Sequence, residues 1–190
     1  MLKLAAHLLA ITPSVYWIYL AFNQQLGADP QEVLLLNFGI TSLQFLLLSL
    51  LVTPVRMVLK WNRVFEYRRM LGLYFFYYLI LHVLTYLTFY LQWNFGETVT
   101  EIIERPYITV GAIALLLSLP LVATSTKAMQ KKLRDTWTKL HRLTYSVALL
   151  GCVHYIWQTK ADLNQPLLYF IVYLLLIGYR LYKKRPILPI

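Results

Sequence analysis

Four histidines, His7, His82, His141 and His154, lie in or beside long apolar stretches of this 190-residue chain. An ionisable side chain is costly in such a setting and turns toward a bundle interior or a functional group. Read singly, each is a neutral imidazole bonded to a neighbouring helix. Depth changes that reading for two of them. His82 follows Arg69 by 13 residues, and His154 follows Arg142 by 12. If both stretches are helices leaving the same face of a bilayer, ~1.5 Å per residue sets both imidazoles about 18–20 Å from the basic rim. Two neutral imidazoles at one height on two helices are what axial ligation of a b-type haem requires. Gly151, three residues before His154, shares its face and leaves room for a flat macrocycle. Tyr78 and Tyr86 flank His82 at i−4 and i+4. They are either pocket walls or ordinary core aromatics.

His141 is harder to pair. It precedes His154 by 13 residues, which on one ideal helix is about 20 Å in height and about 140° in rotation. The position matching it in height on the His82 segment is Arg69, and His7 is the only other histidine near that level. His141 is therefore a ligand to a second haem short of a partner, or a contact to a propionate, a flavin or a quinone at the inner face. Zinc chemistry is disfavoured because no carboxylate falls within the apolar runs. The same absence argues against a proton relay of the transporter kind. Nucleophile motifs and glycine-rich phosphate loops are missing too.

These residues need helices to hold them. The chain is 59% hydrophobic and 14% charged, more apolar surface than one soluble core of this length can bury. Apolar runs of bilayer-spanning length, about 20 residues, recur throughout. The expected fold is an all-α polytopic bundle of six transmembrane helices at 4–22, 33–53, 70–91, 106–123, 138–157 and 166–182. The whole chain, 1–190, reads as a single membrane domain with short connections and no visible internal repeat. No cleavable signal peptide is expected, since the first apolar run continues to spanning length. A single cysteine, Cys152, excludes an intrachain disulfide and any multi-cysteine cluster.

Charge sets the orientation. Lys3, Arg56, Lys60, Arg63, Arg68, Arg69, Lys127, Lys131, Lys132, Arg134, Lys183, Lys184 and Arg185 fall on one side of the six runs. The other side carries Arg105 and Lys160 among Asp29, Glu32, Glu97, Glu101, Glu104 and Asp162. The positive-inside rule then places both termini in the cytoplasm. The net charge of +10 flanks the spans instead of forming a stripe, so it reads as attraction to anionic lipid and not to nucleic acid. No loop is long enough for a nucleotide-binding domain. Chemistry belongs in the bundle or in a partner.

Three segments carry a resemblance: RRMLGLYFFYYLILHVLTY, RPYITVGAIALLLSLPLVATSTKAMQKKL and W-x₃-LHRLTYSVALLGCVHYIW. With LGADP and LVTPVR, they make nearly the whole chain similar to the haem-binding membrane subunits of the bacterial periplasmic methionine sulfoxide reductase system, the MsrQ family. That family belongs to the ferric-reductase-like transmembrane group, which shares its histidine-ligated bundle with NADPH oxidases. The resemblance implies an inner-membrane electron conduit. It would carry electrons from the quinone pool or a cytosolic flavin reductase to a periplasmic molybdenum-cofactor enzyme, MsrP, that reduces methionine sulfoxide. It implies haem contacts at His82, His141 and His154 and an FMN whose phosphate meets Arg68 and Arg69. On their own residues, Arg68 and Arg69 read as a positive-inside anchor. The competing functions are a stand-alone cytochrome b-type ferric or quinone reductase, and a transporter or structural subunit with core histidines.

Overall fold

The computed structural model describes residues 2–183. Lys184 and Arg185, two of the basic residues used for orientation, lie outside the described residues. Eight α-helices follow in order: α1 (Leu2–Phe22), α2 (Pro30–Leu59), α3 (Arg68–Phe89), α4 (Phe95–Glu104), α5 (Pro106–Ala123), α6 (Lys127–Leu140), α7 (Leu143–Gln158) and α8 (Asn164–Tyr182). A 3₁₀ turn, Asn62–Tyr67, joins α2 to α3. No strand occurs among the described residues.

By length and composition, five helical segments can cross a membrane: Lys3–Phe22, Pro30–Leu59, Asn62–Phe89, Pro106–Ala123 and Asn164–Tyr182. The stretch expected as a span at 138–157 is divided. Its helix, α7, has 16 residues and begins at Leu143, after a turn at His141 and Arg142. His141 and His154 therefore do not share one continuous helix, and the 140° rotation expected between them does not apply.

Two connections expected as loops are helical, each for a local reason. In α4, the Asn94 side chain accepts hydrogen bonds from the Gly96 and Glu97 amides, at 3.1 and 3.2 Å. That satisfies N-terminal donors which have no partner inside the helix. Arg105 is extended (φ −112°, ψ 99°) between α4 and α5, as the residue before Pro106 must be, so one residue makes the corner. In α6, the Thr126 hydroxyl accepts from the Met129 amide at 3.2 Å. Farther back, Asp29 caps α2 through the Glu32 amide, Pro30 opens that helix, and left-handed Lys60 closes it.

The helices pack as two intimate pairs, α2 with α3 and α5 with α7, and α8 lies against α7 and α2. Leu43, Leu46, Leu47 and Leu50 of α2 meet Phe75 of α3, Val147, Ala148 and Cys152 of α7, and Tyr173 and Leu176 of α8. The α1 helix touches this core sparsely and is held by tyrosines of α3. The Tyr78 hydroxyl donates to the Ala10 carbonyl at 2.7 Å and accepts from the Ser14 amide at 3.3 Å. Those are the two backbone groups that an unbroken helix joins to each other, and Pro13 lies between them. Tyr77 bonds the Ser14 hydroxyl at 3.2 Å, and Tyr74 bonds Nδ1 of His7 at 3.0 Å. His7 is thus an exposed residue tied to α3.

Tyr78→Phe lets the two α1 backbone groups re-pair, so its cost is about 1 kcal/mol, as for interhelical bonds in membranes. Tyr78→Ala also leaves a void and costs about 3–5 kcal/mol. Thermal unfolding in detergent should therefore show a small drop for the first variant and a large one for the second. Equal drops would mean that the hydroxyl, not the ring, secures α1.

Candidate functional site

His82 on α3 and His154 on α7 face each other across the bundle, with ring centroids 6.2 Å apart and planes crossed at 84°. Each ring is anchored by the helix paired with its own. Nδ1 of His82 lies 2.9 Å from the Leu35 carbonyl of α2, and Nδ1 of His154 lies 2.7 Å from the Tyr107 carbonyl of α5. A carbonyl only accepts, so Nδ1 carries the proton and donates in both cases. That choice fixes the tautomer and leaves Nε2 with a lone pair for a metal.

Glycine makes both bonds reachable. Gly39 stands one helical turn after Leu35, and Gly111 one turn after Tyr107. A Cβ on Gly39 would lie 2.9 Å from Nδ1 of His82, and one on Gly111 would lie 2.9 Å from Nδ1 of His154. No side chain fits between imidazole and helix at either position. The two units repeat. Each carbonyl precedes its histidine by 47 residues, and a shift of 72 positions carries Leu35, Gly39 and His82 onto Tyr107, Gly111 and His154. The repeat went unseen in the sequence because little besides the glycine and the histidine matches, and a small residue inside a membrane helix is common.

Between the rings lies an apolar cavity of about 360 Å³, lined by both histidines, by Gly39, Gly111 and Gly151, and by Tyr86 among others. Pockets enclosing small cofactors span roughly 300–1,000 Å³. Tyr86 and Gly151 face this space. Tyr78 does not, because it is turned toward α1. A metal held about 2 Å from one nitrogen of each ring sets two trans imidazole centroids roughly 6–6.5 Å apart, and the observed 6.2 Å falls in that range. The donors, their tautomers, the spacing and the glycine-lined walls all fit a haem.

The mouth away from Arg68 and Arg69, the outer end on the charge pattern of the sequence, is covered by α4. Thr98 and Ile102 turn inward to the cavity, while Phe95, Val99 and Ile103 form an exposed apolar stripe. Tyr86 donates to a Glu101 carboxylate oxygen at 2.8 Å, and that carboxylate pairs with Arg105 at 2.8 Å. Arg105 donates in turn to the Tyr107 hydroxyl at 3.2 Å, and the Thr109 hydroxyl bonds the Ile102 carbonyl. This mesh steadies Tyr107, whose carbonyl orients His154. In the sequence Glu101 is one of the acidic residues opposite the basic side, and its i+4 spacing to Arg105 is the signal of this pairing.

At the inner end the adjacent arginines part company. Arg68 is 2% exposed, donates to the Thr53 hydroxyl at 3.4 Å, and lies 5.9 Å from the Phe65 ring centre. Arg69 is exposed and opens on a small cavity of about 30 Å³ shared with His141, Gly72 and Ser125. The same 72-residue shift relates Arg69 to His141, so the repeat has an inner level at which one histidine is replaced. His141 is buried and stacks on Trp137 with centroids 4.1 Å apart. Thr124 Oγ1 donates to the Pro120 carbonyl at 2.6 Å and so accepts from Nε2 of His141 at 2.9 Å. The nitrogen of His141 without a partner is Nδ1, the opposite of the outer pair.

Residues 36–152 match the family described as "Ferric reductase like transmembrane component". A protein of Azospira oryzae named "Protein-methionine-sulfoxide reductase heme-binding subunit MsrQ" is 41% identical over 96% of this chain and 79% of its own length. Proteins of the same name from Xanthomonas euvesicatoria and Xanthomonas axonopodis are 38% and 37% identical, over 96% of this chain and 86% of their own. No solved structure matches the chain.

Gly39→Ala and Gly111→Ala should each push an imidazole off its carbonyl. Purified variants should retain less than half of the haem of the parent protein. Gly178→Ala is the control, since a Cβ there meets nothing within 4 Å. Full haem retention in the first two variants would show that the close approach is dispensable.

Proposed function

We propose, from the premise that this chain belongs to the ferric reductase like transmembrane component family and to the MsrQ haem-binding subunits within it, that it conducts electrons outward across the bacterial inner membrane. The observation that carries the proposal is the crossed pair His82 and His154, each with Nδ1 bound to a carbonyl and Nε2 left for iron. Haem supplies a one-electron carrier when bound, and FMN supplies an exchange between paired and single electrons.

The rest is done by this chain's own groups. His82 and His154 would hold the iron from two helix pairs, and their Nδ1–H bonds to Leu35 and Tyr107 would make each imidazole a stronger donor and so tune the potential. Apolar walls exclude water from between them. Arg68 and Arg69 would hold the flavin phosphate from the buried and the exposed side of the α3 start, since guanidinium forks match a phosphate monoester. His141, which shares a small cavity with Arg69 and whose Nδ1 has no hydrogen-bond partner, would contact a propionate, a flavin or a quinone at that end. This reading has one haem b between His82 and His154, with His141 outside its ligand set because Nε2 of His141 is engaged by Thr124.

Electrons enter at the cytoplasmic side from quinol or a cytosolic flavin reductase. They leave to MsrP, the periplasmic molybdenum enzyme that reduces methionine sulfoxide. The orientation proposed is six spans, with α7 added to the five long apolar helices, and both termini cytoplasmic by the positive-inside rule. The chain 1–190 acts as one haem-binding domain, and no substrate bond is broken in it.

Absorbance spectra of purified His82→Ala, His154→Ala and His141→Ala test the assignment together. The first two should lose most of the Soret band of a low-spin b-haem, and the third should keep it. A retained low-spin spectrum in His82→Ala or His154→Ala would remove that residue from the ligand set. A halved haem content in His141→Ala would restore the two-haem arrangement.

A further inference from the structure

The short helix α4 is tied between two long apolar ones, and its residues sort into three faces at ~100° per residue. Thr98, Glu101 and Ile102 are half-buried and face the bundle. Thr98 and Ile102 line the apolar cavity, and Glu101 accepts from Tyr86 and pairs with Arg105. Phe95, Val99 and Ile103 form the next face and are 73%, 56% and 74% exposed. Glu97, Thr100 and Glu104, also exposed, form the third face, opposite the other two.

Only Tyr90–Asn94 separates α4 from α3, and the single corner residue Arg105 separates it from α5. Both neighbours are long and apolar enough to cross a membrane, so α4 lies at the level where they leave the apolar phase. Tyr90 and Trp93, both exposed in the connection, are side-chain types that collect at a membrane–water boundary. A stripe of large apolar side chains needs a cover, and the order of the faces says which. A stripe made for a soluble protein would point away from the bundle, with polar residues on its flanks. Here the polar face points away, and the apolar face borders the bundle face on one side. A helix lying on a bilayer needs that order, with protein beside it, lipid chains beneath and water above. No lysine or arginine occurs in Phe95–Glu104. Attraction to anionic lipid therefore cannot seat this helix, and apolar contact must.

We propose that α4 lies in the membrane–water interface, at the end of the bundle away from Arg68 and Arg69, with Phe95, Val99 and Ile103 seated among lipid chains. The same seating holds Thr98 and Ile102 against the mouth of the cavity, so the bilayer becomes part of its cover. The seating stands on the geometry of α4 alone. What it does for haem rests on the reading of the cavity as a haem site.

The test is cysteine alkylation of the full-length protein in phosphatidylcholine nanodiscs, read by mass spectrometry. A charged maleimide should modify Thr100→Cys and Glu104→Cys about tenfold or more faster than Val99→Cys and Ile103→Cys, whose thiols lie below the headgroups. A lipid-soluble maleimide should modify all four, and the buried Cys152 of the parent protein should take up neither reagent. Equal rates with the charged reagent at all four positions would turn the stripe toward water, as a site for a soluble protein, and overturn the proposal. Failure of both reagents at Val99→Cys and Ile103→Cys overturns it as well, because protein then covers the stripe. For the cover, Val99→Glu combined with Ile103→Glu should speed transfer of haem to apomyoglobin severalfold, while Thr100→Glu keeps the parent rate. Size exclusion checks folding, and if the double variant does not fold, Val99→Glu alone carries the comparison. An unchanged transfer rate overturns the role of the bilayer in the cover and leaves the seating to the alkylation pattern. A parent protein that holds no haem refutes the haem reading, and the alkylation pattern still decides the seating.

Discussion

An imidazole inside an apolar bundle has two nitrogens to satisfy, and how the first is satisfied decides what the second can do. In this chain the first nitrogen of His82 and of His154 is given to a main-chain carbonyl on a neighbouring helix. The carbonyl of an α-helix is already engaged by the amide four residues on, so a side chain can share it only by lying close against the helix surface. Gly39 and Gly111 clear that surface. The α2–α3 and α5–α7 pairs approach closely at these points, the two Nε2 lone pairs are left over, and the apolar cavity forms between them. The α4 cover and the tyrosine attachment of α1 are arranged around that centre.

The two levels of the repeat differ in a way that separates their chemistry. The outer level keeps both histidines, with matched anchors and matched tautomers. The inner level replaces one histidine with Arg69 and engages Nε2 of the other, His141, with Thr124. Arginine is a poor metal ligand because it stays protonated, but it is well suited to anions and ring faces. One repeated frame thus pairs a level of two histidines with a level of one histidine and one arginine.

Much of this was legible in the residues. Counting from Arg69 and Arg142 put His82 and His154 at one height, because helical rise is nearly constant and basic residues mark the membrane rim. The place of His141 was not legible, since the break at His141 and Arg142 carries no proline or glycine to announce it. Hydropathy recognises spans, so polar α6 and the amphipathic α4 were taken as connections. Their caps, Thr126 and Asn94, and the period of Phe95, Val99 and Ile103 were the signals available. Adjacent Arg68 and Arg69 look alike in sequence. Which of them is buried depends on the rotation of α3, and that is set by its packing against α2.

The central claim, that the crossed imidazoles of His82 and His154 share one iron, is tested most directly by electron paramagnetic resonance of the oxidised protein at low temperature. With an iron held between them, planes 84° apart would donate equally into both iron d orbitals of π symmetry and leave them nearly degenerate. The account predicts a strongly anisotropic low-spin ferric signal with a large maximum g value. A rhombic low-spin signal from parallel imidazoles, or a high-spin signal from iron with a single histidine, would contradict it.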